Sequence, residues 1–95
     1  MLKIEEVSEN ELKFIGEFSA SQESIASDKL SEHEETLTID MGELKYISSM
    51  GLGVLVKTNH RLNENGHSLR LKNLNSHIKD IFKFTRLDQV FDLID

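Results

Sequence analysis

Tyr46-Ile47-Ser48-Ser49-Met50-Gly51-Leu52-Gly53-Val54-Leu55 places two hydroxyls and two glycines where a β-prone stretch gives way to a helical one. Downstream, Leu52, Leu55, Val56, Asn59 and Leu62 repeat at the three-and-four spacing of one helix face, with Lys57, His60, Arg61 and Glu64 mostly outside it. Asn65-Gly66 then supplies the left-handed residue that ends helices. Upstream, Leu37-Thr38-Ile39-Asp40 is short, β-prone and uncharged until its end, which predicts an interior strand buried on both faces. Met41 to Ile47 is expected to cross a loop. A second strand is expected from about Ser68 to Leu74, carried by Leu69, Leu71 and Leu74. Strand, helix and strand in that order make a crossover unit whose strands must pair in parallel.

Working outward, Leu2, Ile4 and Val7 alternate with charged residues, Ser8-Glu9-Asn10 supplies a turn, and Leu12, Phe14 and Gly16 continue the alternation. That pattern predicts an antiparallel hairpin. Ile25, Ala26 and Leu30 fit a short amphipathic helix over about 21–30. Beyond the second crossover strand, Asn75 or Ser76 can cap a helix carrying Ile78, Ile81, Phe82 and Phe84. Leu87 to Leu93 forms a last short apolar segment, read as a further helix, with Val90, Phe91 and Ile94 to bury. The expected fold class is α/β: one domain over residues 1–95, with a mixed, mainly parallel sheet, an N-terminal antiparallel hairpin and helices packed on the sheet.

The 95 residues hold enough chain for one core and too little for two. Cysteine is absent, which excludes disulfides and thiolate metal sites. The longest apolar run, Met50 to Val56, is far shorter than the roughly 20 residues of a membrane span. Met1-Leu-Lys-Ile-Glu-Glu carries charge where a signal peptide is apolar, so a cytoplasmic location without membrane insertion is expected. Net charge is −6, with −8 on residues 1–47 and +2 on residues 48–95. An acidic chain without tryptophan or a basic run lacks the footprint of a direct nucleic-acid binder. The acidic half can steer the protein toward a basic partner surface, or simply keep it soluble.

Catalytic readings fail in turn. His33, His60, His67 and His77 offer no i,i+4 pair for a metal, and no carboxylate sits in an obviously apolar setting. Gly51-Leu-Gly53 lacks the third glycine of a dinucleotide loop. No enzyme, metal site or cofactor is expected. The helix start at Ser48–Gly53 is the distinctive feature. Its first N–H groups and the helix dipole favour a negative charge there, and a phosphoryl group would add about −1.5 to −2 charges to a surface of small and apolar residues. The simpler reading makes Ser49 or Ser48 an N-cap worth about 1 kcal/mol, with the glycines serving close packing.

From Leu37 to Leu74 the chain resembles the STAS-domain family of bacterial anti-sigma factor antagonists. The resemblance rests on Thr38-Ile39-Asp40, Tyr46 to Leu55, Asn65-Gly66 and Leu69-Arg70-Leu71. It extends to Gly16-Glu17-Phe18-Ser19-Ala20, and to Thr85-Arg86-Leu87-Asp88-Gln89-Val90-Phe91, which looks like the family's closing helix. It implies partner switching: the antagonist binds an anti-sigma factor, usually a serine kinase, until phosphorylation of one serine releases it, and a serine phosphatase restores it. That serine's place is taken here by Met50, an aspartate two residues earlier by Ser48, and an aspartate of the first motif by Ser19.

Phosphate at the usual position is therefore impossible, and Ser49 or Ser48 remains as acceptor unless the partner is bound without such a switch. The expected contact surface comprises Ser19, Ser48, Ser49, Met50, Gly51, Leu52, Gly53 and Lys57, with Arg61 a further charged candidate, although Lys57 and Arg61 also suit a plain solvated face. Two rivals stand beside this reading. One is a STAS subunit bound constitutively in another assembly, such as a lipid-transport accessory or a stress-sensing complex. The other is a nucleotide or small-ligand sensor that uses the helix start.

Overall fold

In the computed structural model, which describes residues 1–94, the hairpin forms as expected: β1 (Leu2–Ser8) pairs antiparallel with β2 (Glu11–Phe18). A 3₁₀ turn (Ala20–Gln22) and helix α1 (Glu23–Leu30) follow. Strand β3 (Leu37–Ile47) leads into α2 (Ser49–Glu64), then come β4 (Leu69–Lys72), α3 (Ser76–Phe84), a second 3₁₀ turn (Leu87–Gln89) and β5 (Asp92–Ile94). The five strands lie in the order β1-β2-β3-β4-β5, and every pairing after the hairpin is parallel.

All three helices cover one face of this sheet. Leu12, Phe14 and Phe18 on β2, Leu37, Ile39, Met41, Leu44 and Ile47 on β3, and Leu69 and Leu71 on β4 are buried in one cluster with Ala26, Leu55, Leu62, Ile78 and Phe82. Burying each such Leu, Ile or Phe side chain contributes about 1.5–3 kcal/mol, which makes this layer the source of the fold's stability. Phe14 meets Phe18 edge to face, with ring centres 5.7 Å apart. The opposite face carries charge. Glu5, Lys13, Asp40 and Lys72 are successive neighbours across β1 to β4, alternating in sign. Lys13 pairs with Glu43, Lys72 with Glu11 at 2.8 Å, and Arg70 with Asp92 at 3.1 Å. Their carboxylate partners hold the ammonium groups of Lys13 and Lys72 above the usual lysine range.

Three expectations are corrected. Met41 to Ile47 is not a loop but the second half of β3, which continues through two irregularities in its pairing with β2. Leu37–Asp40 is buried on one face only, since Thr38 and Asp40 lie half-exposed among the cross-strand charges. The closing segment is not a helix. Leu87–Gln89 makes one 3₁₀ turn, then Asp92–Ile94 pairs with β4 as the sheet's other edge. Phe91 is buried against Phe82, whereas Val90 is 46% exposed. Phe84 also points outward, at 92% exposure. Among the described residues, no helix is long and apolar enough to cross a membrane.

Candidate functional site

Parallel pairing brings the C-terminal ends of β2 and β3 to the same edge of the molecule. Phe18 lies opposite Ile47, and the Ser48 N–H donates to the Phe18 carbonyl at 2.9 Å. Ser19 and Ser48, 29 positions apart in sequence, therefore leave the sheet side by side. Ser48 is the N-cap of α2: its backbone is extended and its hydroxyl oxygen accepts from the Gly51 N–H at 3.0 Å. Ser49 is the first helical residue and is exposed. Of the two readings of the serines, capping thus belongs to Ser48 and leaves the Ser49 hydroxyl facing outward.

Met50 follows, 48% exposed, with the first turn of α2 free of acidic side chains. Gly51 and Leu52 turn inward. A Cβ on Gly51 would stand 2.9 Å from Ile47 Cγ1 and 3.1 Å from the Phe18 ring, so glycine is what lets α2 sit against the strand ends. Gly53 differs. A Cβ there would meet nothing within 4 Å, so packing does not require a glycine at this position. One turn on, Lys57 is exposed. Arg61, expected as a contact residue, bends back to α1, where its Nη2 donates at 3.0 Å to the Leu30 carbonyl, which also accepts from the His33 N–H at 3.1 Å.

Beside Ser48, the Ser19 region is ordered by a residue not singled out in the sequence. Gln22 Oε1 accepts from both the Ser19 N–H at 3.2 Å and the Ser19 hydroxyl at 3.0 Å. Ser-x-x-Gln is the spacing of a helix-start box, and that was the available signal. The far side of α2 is pinned by Asn59, whose Oδ1 accepts from the Leu69 N–H at 3.1 Å and whose Nδ2 donates to the Val90 carbonyl at 3.2 Å. Among the described residues, no group of three His, Asp or Glu side chains is placed to hold a metal ion. The surface so built is a small, nearly neutral ledge of two exposed hydroxyl-bearing turns and one apolar thioether.

Comparison with known proteins gives a consistent result. Residues 6–95 match the STAS domain. The anti-sigma-B factor antagonist of Bacillus subtilis (strain 168) is 34% identical over 64 residues, 67% of this chain. The matched stretch spans 59% of that relative's length. Among solved structures, an anti-sigma factor antagonist from Mycobacterium paratuberculosis superposes with a TM-score of 0.80 at 17% identity, over 98% of this chain and 83% of the other. The phosphorylated form of the Bacillus cell fate determinant SpoIIAA superposes with a TM-score of 0.74 at 18% identity, over 100% and 90% of the two chains. At these identities the superpositions speak for the fold.

Proposed function

The chain belongs to the STAS domain family, and from that premise we propose that it is an anti-sigma factor antagonist, acting by binding an anti-sigma factor through the ledge at the start of α2. One observation carries the reading: the β2–β3 pairing sets Ser19 beside Ser48, and α2 then presents Ser49 and Met50 on the same exposed edge. The Bacillus subtilis relative is named for antagonism of an anti-sigma factor, and a structural neighbour is known in phosphorylated form. Partner, kinase and phosphatase are of the class that such a switch requires: a serine kinase that is itself the anti-sigma factor, and a serine phosphatase that resets it.

Ser49 is the acceptor in this proposal. Its hydroxyl is exposed, while the Ser48 oxygen is engaged by the Gly51 N–H. A phosphoryl group on Ser49 would place about two negative charges in an interface whose neighbours, Met50 and Gly53, offer no cation to pair with it. The thioether at Met50 favours a second reading, in which the partner is bound without a phosphorylation switch.

The test begins with partner capture from the native cell extract on the immobilised protein, and then titration calorimetry with the purified partner. Met50→Asp is expected to weaken binding by about 2 kcal/mol or more, the cost of an unpaired charge in an apolar contact. Undiminished binding would remove the ledge from the interface. Phosphate on Ser49 in protein isolated from its own cells supports the switch, and its absence under every growth condition supports constitutive binding.

A further inference from the structure

We propose that the cleft between α1 and α2 is a docking slot for an acidic side chain of a protein partner, with Lys57 as the residue that pairs with it. The inference rests on the reading that a polypeptide sits on the α2 ledge, and it extends that surface two turns along the helix. The first observation is a charge census. The chain holds 17 acidic and 11 basic side chains, so a cation should find a carboxylate easily. Lys3, Lys13, Lys29, Arg70 and Lys72 each do, within 4.0 Å. Lys57 and Arg61, like Lys45, Lys83 and Arg86, have no carboxylate within 4.0 Å among the described residues; what sets Lys57 and Arg61 apart is that two such cations line one cavity.

That cavity, about 270 Å³, lies between Ser27 and Ser31 of the α1 side and Val54, Lys57 and Arg61 of α2. Glu23 also lines it, out of ion-pair reach, which leaves the cleft with an excess of one positive charge. Its size is below the roughly 300–1,000 Å³ of typical small-molecule sites, and suits one side chain better than a nucleotide. The hydrogen bond from Arg61 to the Leu30 carbonyl fixes the guanidinium in place before anything binds. A partner carboxylate then has only the Lys57 stem to immobilise.

The second observation is spacing. Met50, Gly53, Lys57 and Arg61 follow one another at three, four and four residues, a single stripe down α2. At about 1.5 Å per residue Lys57 stands roughly 10 Å along the axis from Met50. Between them Gly53 presents bare backbone, with open space where a side chain would be. A partner segment touching Met50 can run over Gly53 unobstructed and set its acidic residue at Lys57. The partner's chemistry is thereby defined: apolar where it meets Met50, and acidic about two turns away.

The experiment is an NMR titration of the ¹⁵N-labelled protein with an acetylated, amidated tetraglutamate peptide, with tetraglutamine and inorganic phosphate as the other arms. Tetraglutamate is expected to shift the amides of Ser27, Ser31, Lys57 and Arg61, with an affinity that falls as salt rises. Exposed Lys57→Glu should lower that affinity tenfold or more, while Lys57→Arg retains it. No shifts, shifts confined to another surface, an equal response to tetraglutamine, or a response to phosphate alone would each overturn the proposal. Met50→Asp separates this inference from the reading beneath it. Tetraglutamate binding that survives Met50→Asp leaves the slot standing even where partner titration shows that the ledge is not the interface.

Discussion

The Ser48 N–H and the Phe18 carbonyl, 2.9 Å apart, form the last rung between β2 and β3 before both strands leave the sheet. Because this rung is backbone to backbone, it survives any side-chain change at Ser48, which separates the capping role of that residue from its position. Ser48→Ala should therefore cost about 1 kcal/mol, the usual worth of an N-cap, seen as a fall in Tm of about 4–8 °C for a domain of this size. Ser49→Ala should change stability by less than about 0.5 kcal/mol. Equal losses at the two positions would contradict the capping assignment.

Gly51→Ala drives a methyl group into Ile47 and the Phe18 ring. Overpacking of this kind costs about 1–3 kcal/mol, read as an earlier midpoint in urea. Gly53→Ala should move the midpoint the other way, by about 0.5–1 kcal/mol, because alanine favours helix and the space is open. Opposite signs two residues apart give the measurement its force.

Asn59 is only 4% exposed and joins α2 to both β4 and the last turn before β5. Asn59→Ala leaves the buried Leu69 N–H without its acceptor, at a cost of about 1–3 kcal/mol. Hydrogen exchange should show Leu69 losing protection by at least tenfold, together with faster opening around Val90.

Lys13 and Lys72 are held above their ordinary range chiefly by hydrogen bonds to Glu43 and Glu11. A group raised in the folded state contributes stability that is complete below its unfolded value and is lost as pH climbs through the folded one. Stability should therefore decline above about pH 10.4, where unperturbed lysine titrates. Lys72→Met should flatten part of that decline. Glu6 behaves in the reverse sense, since the Lys29 ammonium holds its carboxyl below the usual range and its contribution fades in acid.

Much of the architecture was legible because its signals are local. The alternation of Leu2 to Gly16 and the stop at Asn65-Gly66 each lie within one segment, and Gly66 does adopt a positive φ of 79°. The second half of β3 was hidden by its own irregularity. The Asp40 carboxylate accepts from the Gly42 N–H at 2.9 Å, a local turn-like bond, and the extra residue there breaks the period-two pattern. At the other end, Leu87 and Phe91 stand four apart as on a helix, yet a three-residue strand is too short to show any period of its own. The ledge could be anticipated from Ser48 to Gly53. The α1–α2 cleft could not, since its walls lie some 30 residues apart and only packing unites them.

The one-sided layering carries a consequence for how the molecule meets its surroundings. On its outer sheet face Lys13, Lys72 and Arg70 already meet Glu43, Glu11 and Asp92 on neighbouring strands, so an approaching protein finds fewer charges there left to neutralise. If the proposed contact at the α2 ledge holds, a small domain in a crowded solution would keep one flank for company and the other for staying apart.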